Sequence, residues 1–169
     1  MSRTDPIPSV DDAGGSAARV RRFLEARGLA DAIVHFEQST KTAQMAADAM
    51  GCDLGQIAKS LVFVTDRGPV VALVAGDRRG DAEAIAREAG ARGARFADAD
   101  AVRAATGYAI GAVSPFDLPA DLLVLVDESL ARFEVVYPAA GTPSSMVRMT
   151  FSQLLDTTGG RLAPVGSQQ

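Results

Sequence analysis

Lysine is scarce in this chain. Of 17 basic residues only Lys41 and Lys59 are lysine, and the rest are arginine. Where arginine is the default cation, a lysine marks a place for a compact point charge rather than a planar fork. Lys59 opens the apolar run Lys59-Ser-Leu-Val-Phe-Val64. If residues 58–64 are extended, side chains alternate between faces. Lys59, Leu61 and Phe63 then share one face, and Ala58, Ser60, Val62 and Val64 the other. An ammonium in line with two large apolar groups can neutralise a phosphate or an oxyanion. The alternative is a lysine at a strand start whose head extends into water.

A second candidate is the segment Gly111-Ala112-Val113-Ser114-Pro115. Gly111 permits a positive φ or a close backbone approach, and Pro115 stiffens the chain beyond it. Such a Gly-x-x-x-Pro stretch is either a connecting loop or a wall of peptide N–H groups facing a ligand oxygen. A third is Arg78-Arg79, which meets either phosphate or solvent.

Other chemistries are narrowed by what the chain contains. It has one cysteine, Cys52, and one histidine, His35. An intramolecular disulfide, a Cys-rich zinc site and any device needing two histidines are excluded. A Cys52–His35 pair is formally open, but both read as packing residues. The glycine spacings of a dinucleotide or P-loop site are missing. A net charge of −4 does not indicate a strongly basic nucleic-acid binder. No apolar run approaches the roughly 20 residues that span a bilayer. The N-terminus carries Asp5, Asp11 and Asp12 and has no apolar core; it is not a signal peptide, and a cytoplasmic location is expected.

Pattern and caps indicate the elements that must position these residues. Residues 1–14 read as a flexible leader and 15–169 as one domain. Ser16 can cap a helix running through Ala18, Val20, Phe23, Leu24 and Arg27, ended by Gly28. Ala32–Glu37 is a strand candidate. Thr42 and Gly51 bracket an Ala/Met-rich helix, and Asp53 can cap a turn over Leu54–Ile57. Leu61–Val64 and Val70–Val74 flank Asp66-Arg67-Gly68-Pro69, the signature of a hairpin. Gly76–Gly80 reads as a loop, Ala82–Ala89 as a helix capped by Asp81, Ala94–Ala97 as extended, and Ala99–Ala105 as a helix stopping at Gly107. Leu122–Val126 is apolar throughout, hence a strand buried on both faces. Asp127 can cap a turn through Leu130. Strands are expected at Phe133–Tyr137, Met146–Met149 and Arg161–Val165, with a helix at Phe151–Leu155 capped by Thr150. The irregular alternation predicts a mixed α/β (α+β) fold with a curled sheet or partial barrel flanked by short helices.

Four blocks resemble the YbaK/prolyl-tRNA editing family: Thr42–Ala47, Gln56–Phe63, Ala75–Arg79 and Gly111–Phe116. The similarity keeps order and spacing from about Asp31 to Pro164. It implies hydrolysis of the ester joining a wrong amino acid to tRNA, with no metal or organic cofactor. It implies the tRNA acceptor end as partner, and a prolyl-tRNA synthetase as a further one. It assigns the key lysine to Lys59 and the glycine of the loop to Gly111. Substrate contacts are expected from Leu61, Phe63, Asp77, Arg78, Ala112, Val113, Ser114, Pro115 and Gly141, with Arg79 and Arg148 also near the acceptor end. Ala112 and Asp117 stand where the family often has glycine, and Ala139-Ala140-Gly141 is small as in the family. The expected substrate is tRNA-Pro carrying a small amino acid such as cysteine or alanine. The alternative is a non-catalytic module of the same fold that binds tRNA or a synthetase.

Overall fold

The computed structural model describes residues 15–169, so the leader expected over 1–14 lies outside the described residues. The central element is the hairpin of β2 (Ile57–Thr65) and β3 (Gly68–Ala75), paired from Ala58↔Ala75 to Thr65↔Gly68 around the turn Asp66-Arg67. Both strands run longer than the apolar runs that announced them. Asp66 secures the turn by accepting from the Arg92 N–H at 2.8 Å. Pro69 lies opposite Val64, at a position whose backbone faces away from β2, and pairing to the next strand begins only at Val70. Its missing N–H therefore removes no ladder bond.

A mixed sheet grows outward from the hairpin. β6 (Leu123–Asp127) lies parallel to β3, and β10 (Arg161–Ala163) parallel to β6. On the other side of β2 lie β7 (Val135–Pro138), parallel, then β9 (Met149–Thr150), antiparallel to β7. β5 (Ala94–Phe96) pairs with the far end of the same β2 edge. Two small sheets join β1 (Ile33–His35) to β8 (Ser145–Val147) and β4 (Arg78–Gly80) to β11 (Gly166–Gln168).

Both faces of the central strands are buried. One packs Val62, Val71, Leu73, Val124 and Val126 against Leu24, Tyr108, Phe116 and Leu154. The other packs Phe63, Val70, Ala72, Val74 and Leu125 against Ile85 and Val165. The helices are short: α1 (Ser16–Glu25), α2 (Ala43–Met50), α3 (Ala82–Ala89), α4 (Ala99–Thr106) and α5 (Phe151–Thr158). Thr42, Asp81 and Thr150 accept N–H bonds from their first turns as expected. Ser16 does not cap: it is the first helical residue, preceded by Gly15, which offers no side chain to the helix. The small residues Ala46 and Ala47 let α2 approach Ile57, Tyr137 and Met146 closely.

Several boundaries differ from the expectation, each because of a distant partner. Arg78–Gly80, expected as loop, is a strand because the C-terminal segment lies beside it. Buried Asp127 holds that segment, accepting from Val165 N at 2.8 Å and Gly166 N at 2.6 Å, as well as from Ser129 N in its own turn. The run Met146–Met149 is divided at Arg148, with β8 paired to β1 and β9 to β7. β7 begins at Val135 rather than Phe133, and Phe133 packs beside Gly55. His35, read as a packing residue, is exposed on β1.

Candidate active site

The sheet is interrupted beside Lys59. On its outer edge β2 pairs with β7 only at Ile57 and Ala58 and with β5 only from Phe63 onward, the Val62 carbonyl accepting from Ala97 N. Lys59, Ser60 and Leu61 are left between them. The Gly76 N–H bonds the Ile57 carbonyl, which sets the phase of the hairpin ladder. By alternation the peptide groups of Lys59 and Leu61 face β3, and those of Ser60 face the interval. A cavity of about 260 Å³ occupies it. Its floor is Ala58–Leu61 of β2, and its walls are the loop before α2 (Thr40, Lys41, Thr42), the loop at Gly111 and Val113, and the segment around Ala139, Thr142 and Ser145.

Lys59 is half-buried and its Nζ donates to the Arg78 carbonyl at 2.5 Å. Burial pushes its pKa below the ordinary lysine value; nearby Asp77 opposes that shift and Arg79 reinforces it. Asp77 is itself engaged. Arg132 grips it with two hydrogen bonds, 2.7 and 3.0 Å, and Arg78 lies 3.6 Å away. The Arg132 bonds hold the Asp77 carboxyl below the usual carboxylate range. The Arg78 guanidinium is thus occupied by Asp77, and the part of Arg78 that reaches Lys59 is its backbone carbonyl.

The glycine loop is fixed from beneath. The buried Tyr108 hydroxyl donates to the Phe116 carbonyl at 2.6 Å, and the buried Ser114 hydroxyl donates to the Ala139 carbonyl at 2.8 Å. Burial pushes the Tyr108 pKa up to about 12, so it remains a donor at physiological pH. Gly111 has φ +86°, a conformation that L side chains resist, although a Cβ there would meet nothing within 4 Å. The Ala112 N–H is already given to the Ala109 carbonyl at 3.0 Å. The loop residues that line the cavity are Gly111 and Val113.

The candidates therefore do not all come together, and Asp77 and Arg78 line neither of the two cavities that hold others. Lys59, Leu61, Gly111 and Val113 line the cavity together. Ala112 and Gly141 line an adjoining one of about 620 Å³. Ser114 and Pro115 are buried behind the loop, and Phe63 is buried in the core below Gly80 rather than on the wall. Gly141 (φ +96°) is also where α1 comes close, since a Cβ there would sit 2.9 Å from the Ser16 carbonyl. Cys52 stands apart; burial pushes its thiol pKa up, which disfavours a nucleophilic thiolate.

Sequence reasoning missed Ser60. Its Oγ is buried and has no hydrogen-bond partner, an unusual state for a hydroxyl. Strand alternation assigns it to the face opposite Lys59, but the cavity opens at a strand edge, where residues of both faces meet. The usable signal is that this edge lacks a continuous neighbour, which local sequence does not carry.

Comparison with known proteins shows the family and the fold. The family model for the aminoacyl-tRNA editing domain matches residues 37–157. "Uncharacterized protein YwhH" of Bacillus subtilis (strain 168) is 37% identical over 123 residues, 72% of this chain and 78% of that protein. The protein named "Putative Cys-tRNA(Pro)/Cys-tRNA(Cys) deacylase EbsC" of Enterococcus faecalis (strain ATCC 700802 / V583) is 25% identical over 129 residues, 76% of this chain and 79% of that protein. A crystal structure described as "a putative trans-editing enzyme for prolyl tRNA synthetase" superposes with a TM-score of 0.82 at 39% identity, covering 91% of this chain and 97% of that one. The curled mixed sheet is thus the fold of such trans-editing relatives, and the chain belongs to the aminoacyl-tRNA editing domain family.

Proposed function

We propose that this protein hydrolyses the ester bond of a mischarged aminoacyl-tRNA, acting in trans on a tRNA released in the cytoplasm. The observation that carries the reading is the cavity that brings the half-buried Lys59 and the Gly111 loop into one lining. An aminoacyl ester is activated, so the site has little chemistry to supply beyond placement and charge stabilisation. Water adds to the carbonyl carbon, and the bond to the ribose oxygen then breaks. That oxygen takes up a proton and leaves as the ribose hydroxyl, with the free amino acid as the other product. The Lys59 ammonium offsets the negative charge that develops, and the Gly111 and Val113 peptides are the donors for the carbonyl oxygen. A preorganised donor of this kind contributes about 3 to 4 kcal/mol.

Cysteine or alanine on tRNA-Pro is the substrate we favour. The cavity, about 260 Å³, lies just below the usual range for ligand sites, about 300–1,000 Å³, which suits a small aminoacyl group. The EbsC and trans-editing relatives carry names pointing to cysteinyl-tRNA and to prolyl-tRNA synthetase. Leu61 and Val113 are the apolar side chains placed to sort by size, at about 1–3 kcal/mol per methylene.

The test is a deacylation screen on tRNA-Pro charged with alanine, cysteine or serine, and on alanyl-, cysteinyl- and threonyl-tRNA, run beside Lys59→Ala. Turnover of one of these, reduced on the order of a hundredfold in the variant, is expected. Equal turnover in the variant removes Lys59 from the mechanism. Absence of turnover on every substrate, with acceptor-end binding intact, makes the protein a binding module.

A further inference from the structure

The reactive cavity adjoins a larger one. The two share Thr40, Lys41, Gly111, Thr142 and Pro143 as walls. Pro143 joins two of these loops, its carbonyl accepting from both the N–H and the hydroxyl of Thr40, at 2.8 and 3.0 Å. The larger cavity, about 620 Å³, carries two cationic side chains, Lys41 and Arg103, and no carboxylate among the described residues that line it. That is unusual in a chain of net charge −4. Ile110, 56% exposed, stands on its wall next to Gly111. A volume of this size accommodates a nucleotide-sized ligand. Cations at the rim and a bare apolar side chain beside them offer the two contacts a single strand uses, phosphate neutralisation and packing of a base face.

The Arg78–Arg79 side is a poorer route. The Arg78 guanidinium is engaged with Asp77, and Arg132 closes the same cluster. By contrast Lys41 is exposed, and among the described residues Arg103 makes only a 3.3 Å bond to the carbonyl of Gly107 at the end of its own helix.

We infer that the adjoining cavity is the seat of the nucleotides preceding the terminal adenosine of a tRNA acceptor strand, with Lys41 and Arg103 on their phosphates and Ile110 against a base. This rests on the editing reading and names the path of its substrate. The strand reaches the reactive cavity past Gly111 and Thr142, not across Arg78 and Arg79.

The test measures binding of a fluorescein-labelled RNA hairpin with a single-stranded CCA 3′ end, by anisotropy, across a salt series. Parent protein, Lys41→Ala/Arg103→Ala, Arg79→Ala and the remote surface control Arg87→Ala are compared, each checked for an unchanged melting temperature. The double variant is expected to bind roughly tenfold more weakly at low salt. Its log K against log salt slope should be shallower by about 1.4, the single-strand value for two phosphates. Arg79→Ala and Arg87→Ala should match the parent. The inference is overturned if the double variant binds like the parent, if Arg79→Ala shows the loss instead, or if the parent does not bind the hairpin. Deacylation separates this from the underlying reading. Ester hydrolysis with no effect of the double variant on hairpin binding or on KM sinks the route alone. Hairpin binding that depends on Lys41 and Arg103 without any hydrolysis sinks the enzymatic reading and leaves the route standing.

Discussion

The Lys59 ammonium donates to the main-chain carbonyl of Arg78, 2.5 Å away and on the neighbouring short strand. The contact places the charge without neutralising it. A carbonyl orients the ammonium, whereas a carboxylate would cancel much of its field. Among the described residues the carboxylate close enough to matter, Asp77, is held by Arg132.

Lys59 should lose its proton at a lower pH than an ordinary lysine, because burial disfavours the charged form. If the ammonium is the active form, enzymatic deacylation, corrected for spontaneous hydrolysis, falls as pH rises through that lowered value. Arg79 adds to the depression. Arg79→Ala should therefore shift the falling limb toward higher pH, while Lys59→Ala should abolish the limb. A profile that the Arg79 change leaves in place argues against the ammonium.

Ser60→Ala separates binding from folding. Its Oγ is buried without a partner, so its loss removes no hydrogen bond from the folded protein. Stability measured by urea unfolding should change by less than about 0.5 kcal/mol or rise slightly. If the hydroxyl finds its partner in the ligand, KM for aminoacyl-tRNA rises severalfold while the melting curve is unaltered. An unchanged KM leaves the hydroxyl without a ligand role.

Tyr108→Phe tests the support under the loop. The substitution leaves the Phe116 carbonyl buried without its donor, which costs about 1–3 kcal/mol. A lower urea midpoint with an unchanged slope is expected, together with a reduced kcat, because the Gly111 peptides lose a fixed reference. A full kcat in the destabilised variant would show that the loop holds its shape without this anchor.

Asp77 governs the acid side. Its folded pKa is depressed, chiefly by the Arg132 hydrogen bonds. Its stabilisation is therefore present above the unfolded value, about 3.9, and lost as pH falls through the folded one. The group is partly exposed, so the expected contribution is modest, under about 1 kcal/mol. Asp77→Asn should lower the melting temperature at neutral pH and flatten its decline as the pH falls below the ordinary aspartate value. Parallel acid curves for parent and variant would contradict the assignment.

Local features are legible in the sequence. The hairpin turn, the caps at Thr42, Asp81 and Thr150, and the singular Lys59 all declare themselves within a few residues. The fold class comes from their order and from the family resemblance. Long-range pairing is not legible. Nothing near Arg78 announces that Gly166–Gln168 will lie beside it, and nothing near Ser60 announces that β7 and β5 stop short of it. Period-two alternation puts Phe63 on the ligand side because it sorts residues by face, and this cavity forms at an edge.

The gap in the sheet has an evolutionary corollary. The floor of the cavity is a strand committed to the core, where most changes are punished. Val113 and Ala140 of the loop walls belong to the core, but Lys41, Thr42, Gly111 and Pro143 are exposed and carry little of the packing load. Drift in those walls can retune which aminoacyl group is admitted while the scaffold stays intact, so one architecture can serve a succession of translational errors.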